Sequence, residues 1–82
     1  MKKKPLIPTA EKRTSSKKAT RLKILKAARQ IFAQYAYHAA SIRMIGKAAG
    51  IDHPLISYYF PSKAELFEAV LADIVQEWDQ FN

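Results

Sequence analysis

The chain has 82 residues, no cysteine and a formal net charge of +7, which limits it to one small domain and excludes disulfides and cysteine-ligated zinc. The charge is polarised, because residues 1 to 60 hold 13 Lys or Arg against two acidic residues, whereas residues 61 to 82 hold one lysine against five acidic residues. A strongly basic end suits a polyanion, either nucleic acid or an anionic membrane surface, although a merely solubilising charge mixture gives the same total.

Residues 1 to 17 are predicted to form a disordered basic arm, because prolines, Ser, Thr and charged residues leave little apolar there beyond Leu6 and Ile7. The basic residues of this arm either keep the chain soluble or add phosphate contacts. Two apolar residues are too few for the apolar segment of a signal peptide. No apolar run along the chain approaches the length of about 18 residues that is needed to span a bilayer. We therefore expect neither export nor membrane insertion.

The remainder of the chain predicts an all-α fold, since no two-residue alternation is long enough for a strand. The first helix is expected from about Lys17 to Tyr35, with Ser15 or Ser16 as its cap. Its core face is expected to carry apolar residues at helical spacing, namely Leu25, Ala28, Phe32 and Tyr35, flanked by Leu22 and Ile31.

The second predicted helix is short, from about Ile42 to Ala49. Ser41 is its expected cap, and Gly50 follows as a residue able to take the left-handed conformation that ends a helix. Gly46 inside this helix costs about 1 kcal/mol relative to alanine. Its presence predicts the close approach of another helix.

The third helix is predicted to begin after Asp52 as its cap, with Pro54 in the first turn, and to end near Tyr59 or Phe60. Three isoleucines are expected to fill the space between the second and third helices: Ile45, Ile51 and Ile56.

The fourth helix is expected to begin at Ser62, whose spacing to Glu65 matches a capping box. It continues to the end of the chain along a stripe of apolar residues, namely Phe67, Val70, Leu71, Ile74, Val75, Trp78 and Phe81. Because three compact helices can cover only the first turns of this stripe, we expect the chain to be a truncated piece of a larger protein.

The second helix, the turn at Gly50 and the third helix together match the helix-turn-helix pattern over residues 41 to 60. In a basic all-helical domain this pattern predicts binding to duplex DNA. The alternative is a basic helical module that binds an anionic membrane surface or a protein partner, because Lys23, Lys26 and Arg29 lie beside the apolar face of the first helix.

The segment from Arg21 to Val70 resembles the N-terminal DNA-binding domain of the TetR family of bacterial transcriptional regulators. The matching elements are IL-x-AA-x-x-x-F in the first helix, S-I-R-x-I in the second, AGI-D through the turn and YYF-P-S-K-x-x-L into the fourth. The resemblance implies a homeodomain-like, three-helix helix-turn-helix domain over residues 18 to 78 that includes the start of a long fourth helix. It also implies that a C-terminal ligand-binding and dimerisation domain is absent from this chain.

The resemblance further implies a sequence-specific transcriptional regulator, most often a ligand-responsive repressor. Such a protein binds a palindromic operator in double-stranded DNA as a homodimer, through the helix 53–59 in the major groove. A small-molecule inducer bound by the missing domain changes the spacing of the two recognition helices. The expected protein is cytoplasmic and nucleoid-associated, with no cofactor and no membrane partner.

Functional residues are carried over position by position from the resemblance. They comprise backbone contacts at Ser41 and Arg43, base-edge contacts at His53, Pro54 and Leu55, and flanking phosphate contacts at Tyr58, Tyr59 and Lys63. Ser57 stands where a phosphate-contacting tyrosine is common in the family, and Pro54 stands where glycine is common. We expect the DNA preference of this protein to differ from that of its relatives at these two positions.

No pattern in the sequence indicates catalysis or a metal site. There is no nucleophile with a base at a suitable spacing, no glycine-rich phosphate loop and no carboxylate pair. His38 and His53 are far apart in the sequence and have no cysteine beside them. We therefore expect a protein that is not an enzyme.

Overall fold

The computed structural model describes the backbone of residues 9 to 81 and the side chains of residues 16 to 80. Within it four helices follow one another: α1 (Thr9–Gln34), α2 (Ile42–Ala49), α3 (His53–Tyr59) and α4 (Lys63–Phe81). These residues contain no strand, which confirms the predicted all-α fold. The expectation of disorder for residues 1 to 8 lies outside the described residues.

Helix α1 begins at Thr9 rather than at about Lys17, so the expectation of disorder is wrong for residues 9 to 17. These residues include the good helix formers alanine, glutamate, lysine and arginine, and no glycine or proline interrupts them before the core begins. The predicted caps Ser15 and Ser16 therefore lie inside the helix. The Ser16 carbonyl instead accepts a hydrogen bond from Thr20 Oγ1 at 2.9 Å.

One core forms where the four helices meet, and each helix contributes one large, fully buried side chain: Ile24, Ile45, Ile56 and Leu66. Around them lie further buried residues, including Leu25, Ala28, Phe60 and Val70. Burying an aliphatic side chain of this size stabilises the fold by about 1.5 to 3 kcal/mol. The four central residues therefore hold all four helices together.

The predicted core face of α1 is partly wrong. Leu22 is 54% exposed and Tyr35 is 41% exposed, because Leu22 lies about a third of a turn away from the buried stripe and Tyr35 follows the last helical residue. Ile24 and Leu66 were not predicted, although both are fully buried. Each lies beside another apolar residue, and periodicity alone does not decide which of two neighbours points inward.

The second and third helices approach closely at Gly46. A methyl group added to Gly46 would lie 2.7 Å from the carbonyl oxygen of Ile51 and 3.1 Å from Ile56 Cδ1. Gly50 ends α2 in the left-handed conformation, with φ of 72°, and the N–H of Ile51 then donates to the Gly46 carbonyl at 2.9 Å. The predicted close approach is confirmed, and the nearest atom belongs to the turn that leads into α3.

Helix α4 leaves the core after Val70. The predicted apolar stripe continues on the helix surface, where Leu71 is 46%, Val75 59% and Trp78 68% exposed. The side chain of Phe81, the last member of the stripe, lies outside the described residues. At the start of the helix Ser62 Oγ accepts the N–H of Glu65 at 3.1 Å, as a capping box requires.

An exposed ion pair joins α1 to the distal part of α4. Arg29 Nη2 lies 2.9 Å from Glu77 Oε1, and this hydrogen bond, together with the charge of the guanidinium, lowers the pKa of the Glu77 carboxyl. The second half of α4 is therefore held against α1 by charge, although its apolar stripe is exposed.

Substitution of Gly46 tests the close approach. Gly46→Ala removes a helix-propensity cost of about 1 kcal/mol, but its methyl group would overlap a backbone carbonyl, and overpacking costs about 1 to 3 kcal/mol. We expect a net loss in the free energy of unfolding, measured by urea denaturation. Ala48→Gly, at an exposed position of the same helix, measures the propensity term alone. A Gly46→Ala variant more stable than the parent would contradict the steric account.

The ion pair predicts a specific pH dependence. Because the pKa of Glu77 is lowered in the folded state, its stabilisation is complete above its unfolded pKa and is lost as the pH falls through its folded pKa. The midpoint of thermal unfolding of Glu77→Gln should therefore lie below that of the parent near neutral pH and converge with it in acid. Glu68→Gln, an exposed carboxylate of the same helix, is the control. A difference that stays constant at every pH would contradict the account.

Candidate nucleic-acid interface

Helix α3 turns a mixed polar and apolar face to solvent. His53 and Pro54 are exposed at its start, Leu55 is 44% exposed, and Tyr58 is 68% exposed one turn later. Ser57 is half-buried on the same helix. Four of the predicted site residues therefore form one accessible strip along α3.

The opposite face of α3 holds it in place. Ile56 is fully buried, and Phe60, which caps the C-terminal end, is 5% exposed. The Asp52 carbonyl accepts the N–H groups of Leu55 and Ile56, both at 3.1 Å, whereas the Asp52 side chain makes no capping hydrogen bond. Asp52 thus occupies the predicted cap position without acting through its carboxylate, and burial supplies the anchoring.

The two adjacent tyrosines have different environments. Their ring centroids are 5.1 Å apart with an interplanar angle of 89°, an edge-to-face arrangement that contributes about 0.5 to 1.5 kcal/mol beyond burial. Tyr59 is half-buried and packs against the core, whereas Tyr58 is mostly exposed. Tyr59 therefore packs partly into the core and supports the Tyr58 ring.

The N-terminal end of α2 lies beside this strip. Ser41 Oγ accepts the N–H of Met44 at 3.1 Å, which confirms the predicted cap. The first amides of a helix, here those of Ile42 and Arg43, have no partner within it. These amides and the exposed Arg43 side chain make this end electropositive and suited to an anion.

An open groove of about 470 Å³ lies between α2 and the start of α3. It is lined by Ile42, Arg43, Gly46, Lys47, Gly50, Ile51, Asp52 and His53. Arg43 and Lys47 are one helical turn apart on its α2 side, so two cations border the groove. Lys47 was not among the predicted site residues, and its spacing of four from Arg43 is the sequence signal that could have identified it.

Lys63 has partners inside the domain that the sequence did not indicate. Its ammonium Nζ donates to the carbonyls of Tyr37 at 2.8 Å and Ala40 at 3.0 Å, and it lies 4.3 Å from the centroid of the Tyr37 ring. An ammonium has three donors, so one N–H remains beyond these two bonds. Lys63 therefore ties the start of α4 to the loop from which α2 begins.

An aromatic cluster supports the same loop. The Tyr37 ring lies 5.8 Å from that of Phe32 and 4.9 Å from that of Phe67, measured between centroids. The rings of Phe32 and Phe67 are 5.0 Å apart in an edge-to-face arrangement. Residues from α1, the loop and α4 thus fix the Tyr37 backbone that Lys63 binds.

The described residues give no evidence for a metal site or for a membrane-spanning helix. No group of three or more His, Asp or Glu side chains in this part of the chain could hold a metal ion. No helix there is both long and apolar enough to cross a membrane. The accessible strip of α3 and the electropositive end of α2 form the main candidate site.

Comparison with known proteins identifies one family pattern and several transcriptional regulators that are similar to this chain. The sequence pattern of the family described as "Bacterial regulatory proteins, tetR family" matches residues 24 to 70. The HTH-type transcriptional regulator RutR of Escherichia coli (strain K12) is 36% identical over 72 residues, which cover 88% of this chain and 34% of RutR. The HTH-type transcriptional regulator UidR of the same strain is 38% identical over 52 residues, which cover 63% of this chain and 26% of UidR.

The matched residues run from Ile24 in α1 to Val70 in α4. They include all of α2 and α3 and the buried residues that join them to α1 and α4. The chain spans about a third or less of the length of these two relatives. Because the family pattern covers more than half of the chain, the protein belongs to the TetR family of bacterial regulatory proteins.

Proposed function

We propose that this chain is the DNA-binding part of a transcriptional regulator and that α3 enters the major groove of duplex DNA. The observation that carries the proposal is the division of α3 into two faces. Ile56 and Phe60 are buried in the core, whereas Leu55 and Tyr58 are exposed. An α-helix is about 10 to 12 Å across and the major groove is about 12 Å wide, so the exposed strip fits against base edges.

The phosphate contacts in this proposal come from both ends of the helix-turn-helix. Arg43 and the first amides of α2 provide positive charge and N–H donors for one phosphate. The Ser41 oxygen accepts the Met44 N–H, which leaves its hydroxyl hydrogen free to donate to the same group. Tyr58 and Tyr59 serve a phosphate at the other end of α3, supported by the packing of Tyr59 on the core.

Base discrimination depends mainly on apolar contacts. Helix α3 contains no Arg, Asn or Gln, which are the residues that most often discriminate bases through bidentate hydrogen bonds. Leu55 and Pro54 instead offer apolar surface to thymine methyl groups, and His53 and Ser57 offer hydrogen bonds. Sequence-dependent DNA shape then contributes at positions that no side chain touches.

Lys63 has two roles in this proposal. It holds the loop before α2 through the carbonyls of Tyr37 and Ala40, and its remaining N–H contacts a phosphate beside α3. The first role keeps Ser41 and Arg43 in position for their own phosphate. The two roles are compatible because Lys63 is only half-buried and its ammonium has a third N–H donor.

The burial of the apolar face of α1 argues against the membrane-surface alternative. A surface-bound amphipathic helix needs a free apolar face, but Ile24, Leu25 and Ala28 are at most 4% exposed. The apolar face of α1 is therefore already used in the core.

We extend the proposal to the whole regulator on the strength of family membership. The protein would act as a homodimer on a palindromic operator, most often as a repressor that responds to a small-molecule inducer. Dimerisation and inducer binding would reside in residues beyond this chain, since relatives such as RutR are more than twice as long. A cytoplasmic, nucleoid-associated location and a non-enzymatic role follow from the same proposal.

Selection from a random duplex pool tests the function. We expect the chain to enrich a short common motif, because α3 presents a fixed set of side chains to the groove. Leu55→Ala should relax the preference at one or two thymine-containing positions by about 1 kcal/mol or more. Leu71→Ala, an equivalent truncation of an exposed leucine on α4, is the control. Recovery of random sequences by the parent chain would contradict the proposal.

Substitution of Lys63 separates its two roles. Lys63→Met removes the donor of two loop carbonyls, so we expect a loss of about 1 to 3 kcal/mol in the free energy of unfolding, measured with urea. Lys47→Met, at an exposed lysine, should change stability by about 0.5 kcal/mol or less. Equal denaturation midpoints for the two variants would argue against the loop contact.

The phosphate role of Lys63 has its own measurement. The slope of log K against log salt concentration for a random duplex should become shallower by about 0.9 in Lys63→Met, as expected for the loss of one phosphate contact. An unchanged slope, measured where the variant is fully folded, would show that Lys63 binds the loop carbonyls and contacts no phosphate.

A further inference from the structure

The face of α1 that carries the core changes from apolar to basic at Arg21. Along this face Ala28 and Leu25 are 0% and 4% exposed, and Arg21 lies one turn before Leu25. One turn earlier the same side of the helix carries Lys17 and Lys18, and all three basic residues are exposed. We call Lys17, Lys18 and Arg21 the basic ridge.

The basic ridge adjoins the C-terminal end of α3. The guanidinium carbon of Arg21 lies 5.1 Å from the centroid of the Phe60 ring, and Phe60 is the residue that caps α3. A cation placed against an aromatic ring in this way is held by the ring quadrupole. Arg21 is therefore fixed next to the end of α3 at which Tyr58 and Tyr59 lie.

The ridge is part of a continuous helix. Because α1 begins at Thr9, Lys17 and Lys18 lie on regular helix, with Thr20 Oγ1 bonded to the Ser16 carbonyl within the same turn. Side chains at positions i and i+4, here Lys17 and Arg21, have Cβ atoms about 5 to 6 Å apart. The ridge thus extends the cationic surface at the end of α3 by about one helical turn.

We propose that the basic ridge binds backbone phosphates of the same duplex, outside the base pairs that α3 contacts. This inference rests on the proposed function, since it requires α3 to lie in the groove. Three cations on one side of a helix match the regular negative charge of a DNA strand. The ridge makes no use of base edges, so it increases affinity for every sequence equally and leaves the preferred motif unchanged.

The salt dependence of binding tests the ridge with the 82-residue chain and a random 20-base-pair duplex. We expect Lys17→Gln/Lys18→Gln to make the slope of log K against log salt shallower by about 1 to 2, because each lost phosphate contact removes about 0.9. Affinity at physiological salt should fall about tenfold or more, while the motif enriched from a random pool stays the same. Arg21 is left unchanged because its contact with Phe60 also stabilises the fold.

The matched control is Lys23→Gln/Lys26→Gln, which makes the same charge change on the far side of the same helix, where both lysines are exposed. We expect this pair to retain most of the parent slope. An equal loss of slope in the two double variants would indicate a diffuse charge effect and would overturn the proposal. A slope in Lys17→Gln/Lys18→Gln equal to that of the parent chain would also overturn it. Failure of the unaltered chain to bind any duplex would instead refute the proposed function.

Discussion

The close contact between Gly46 and the backbone of Ile51 sets the geometry of the helix-turn-helix. Helices of seven and eight residues do not form in isolation, because helix nucleation is too costly at that length. Here the turn lies directly on α2, with the Ile51 oxygen 2.7 Å from where a side chain at Gly46 would begin. This approach lets Ile45 and Ile56 meet in the core, and both are fully buried. The direction of α3, and hence the residues it exposes, follows from that contact.

The small core also explains why α3 can serve two surfaces. On α3 the core uses Ile56 and the capping residue Phe60, which leaves Leu55 and Tyr58 exposed on the other face. Single exposed apolar side chains are common on protein surfaces, whereas a contiguous group of them often marks a binding site. On α3 the exposed Leu55 is flanked by the electropositive helix end at Arg43 and by the ring pair of Tyr58 and Tyr59, an arrangement suited to a duplex.

Sequence reasoning predicted the parts of the fold that depend on local chemistry. The bounds of α2 and the roles of Ser41 and Gly50 were predicted correctly, because a cap and a left-handed glycine act within a few residues. The start of α1 was predicted wrongly, since the absence of burial was given more weight than the strong helix propensity of residues 10 to 13. The inward residues Ile24 and Leu66 were missed because each has an equally apolar neighbour.

The candidate site was predictable where it consists of exposed side chains on a short helix. His53, Pro54, Leu55 and Tyr58 do lie together on one accessible strip, although contact with DNA at these positions remains a proposal. The partners of Lys63 were not predictable, because two backbone carbonyls more than 20 residues away leave no pattern in the sequence. The contact of Arg21 with Phe60 was missed for a related reason, since it joins residues from two different helices.

Methylation interference on a duplex selected by the chain shows whether α3 lies in the major groove. Methyl groups on guanine N7 project into the major groove, whereas those on adenine N3 project into the minor groove. If α3 lies in the major groove, guanine N7 methylation within the selected motif should prevent binding, and adenine N3 methylation there should have little effect. Interference from adenine N3 methylation alone would show that α3 does not lie in the major groove.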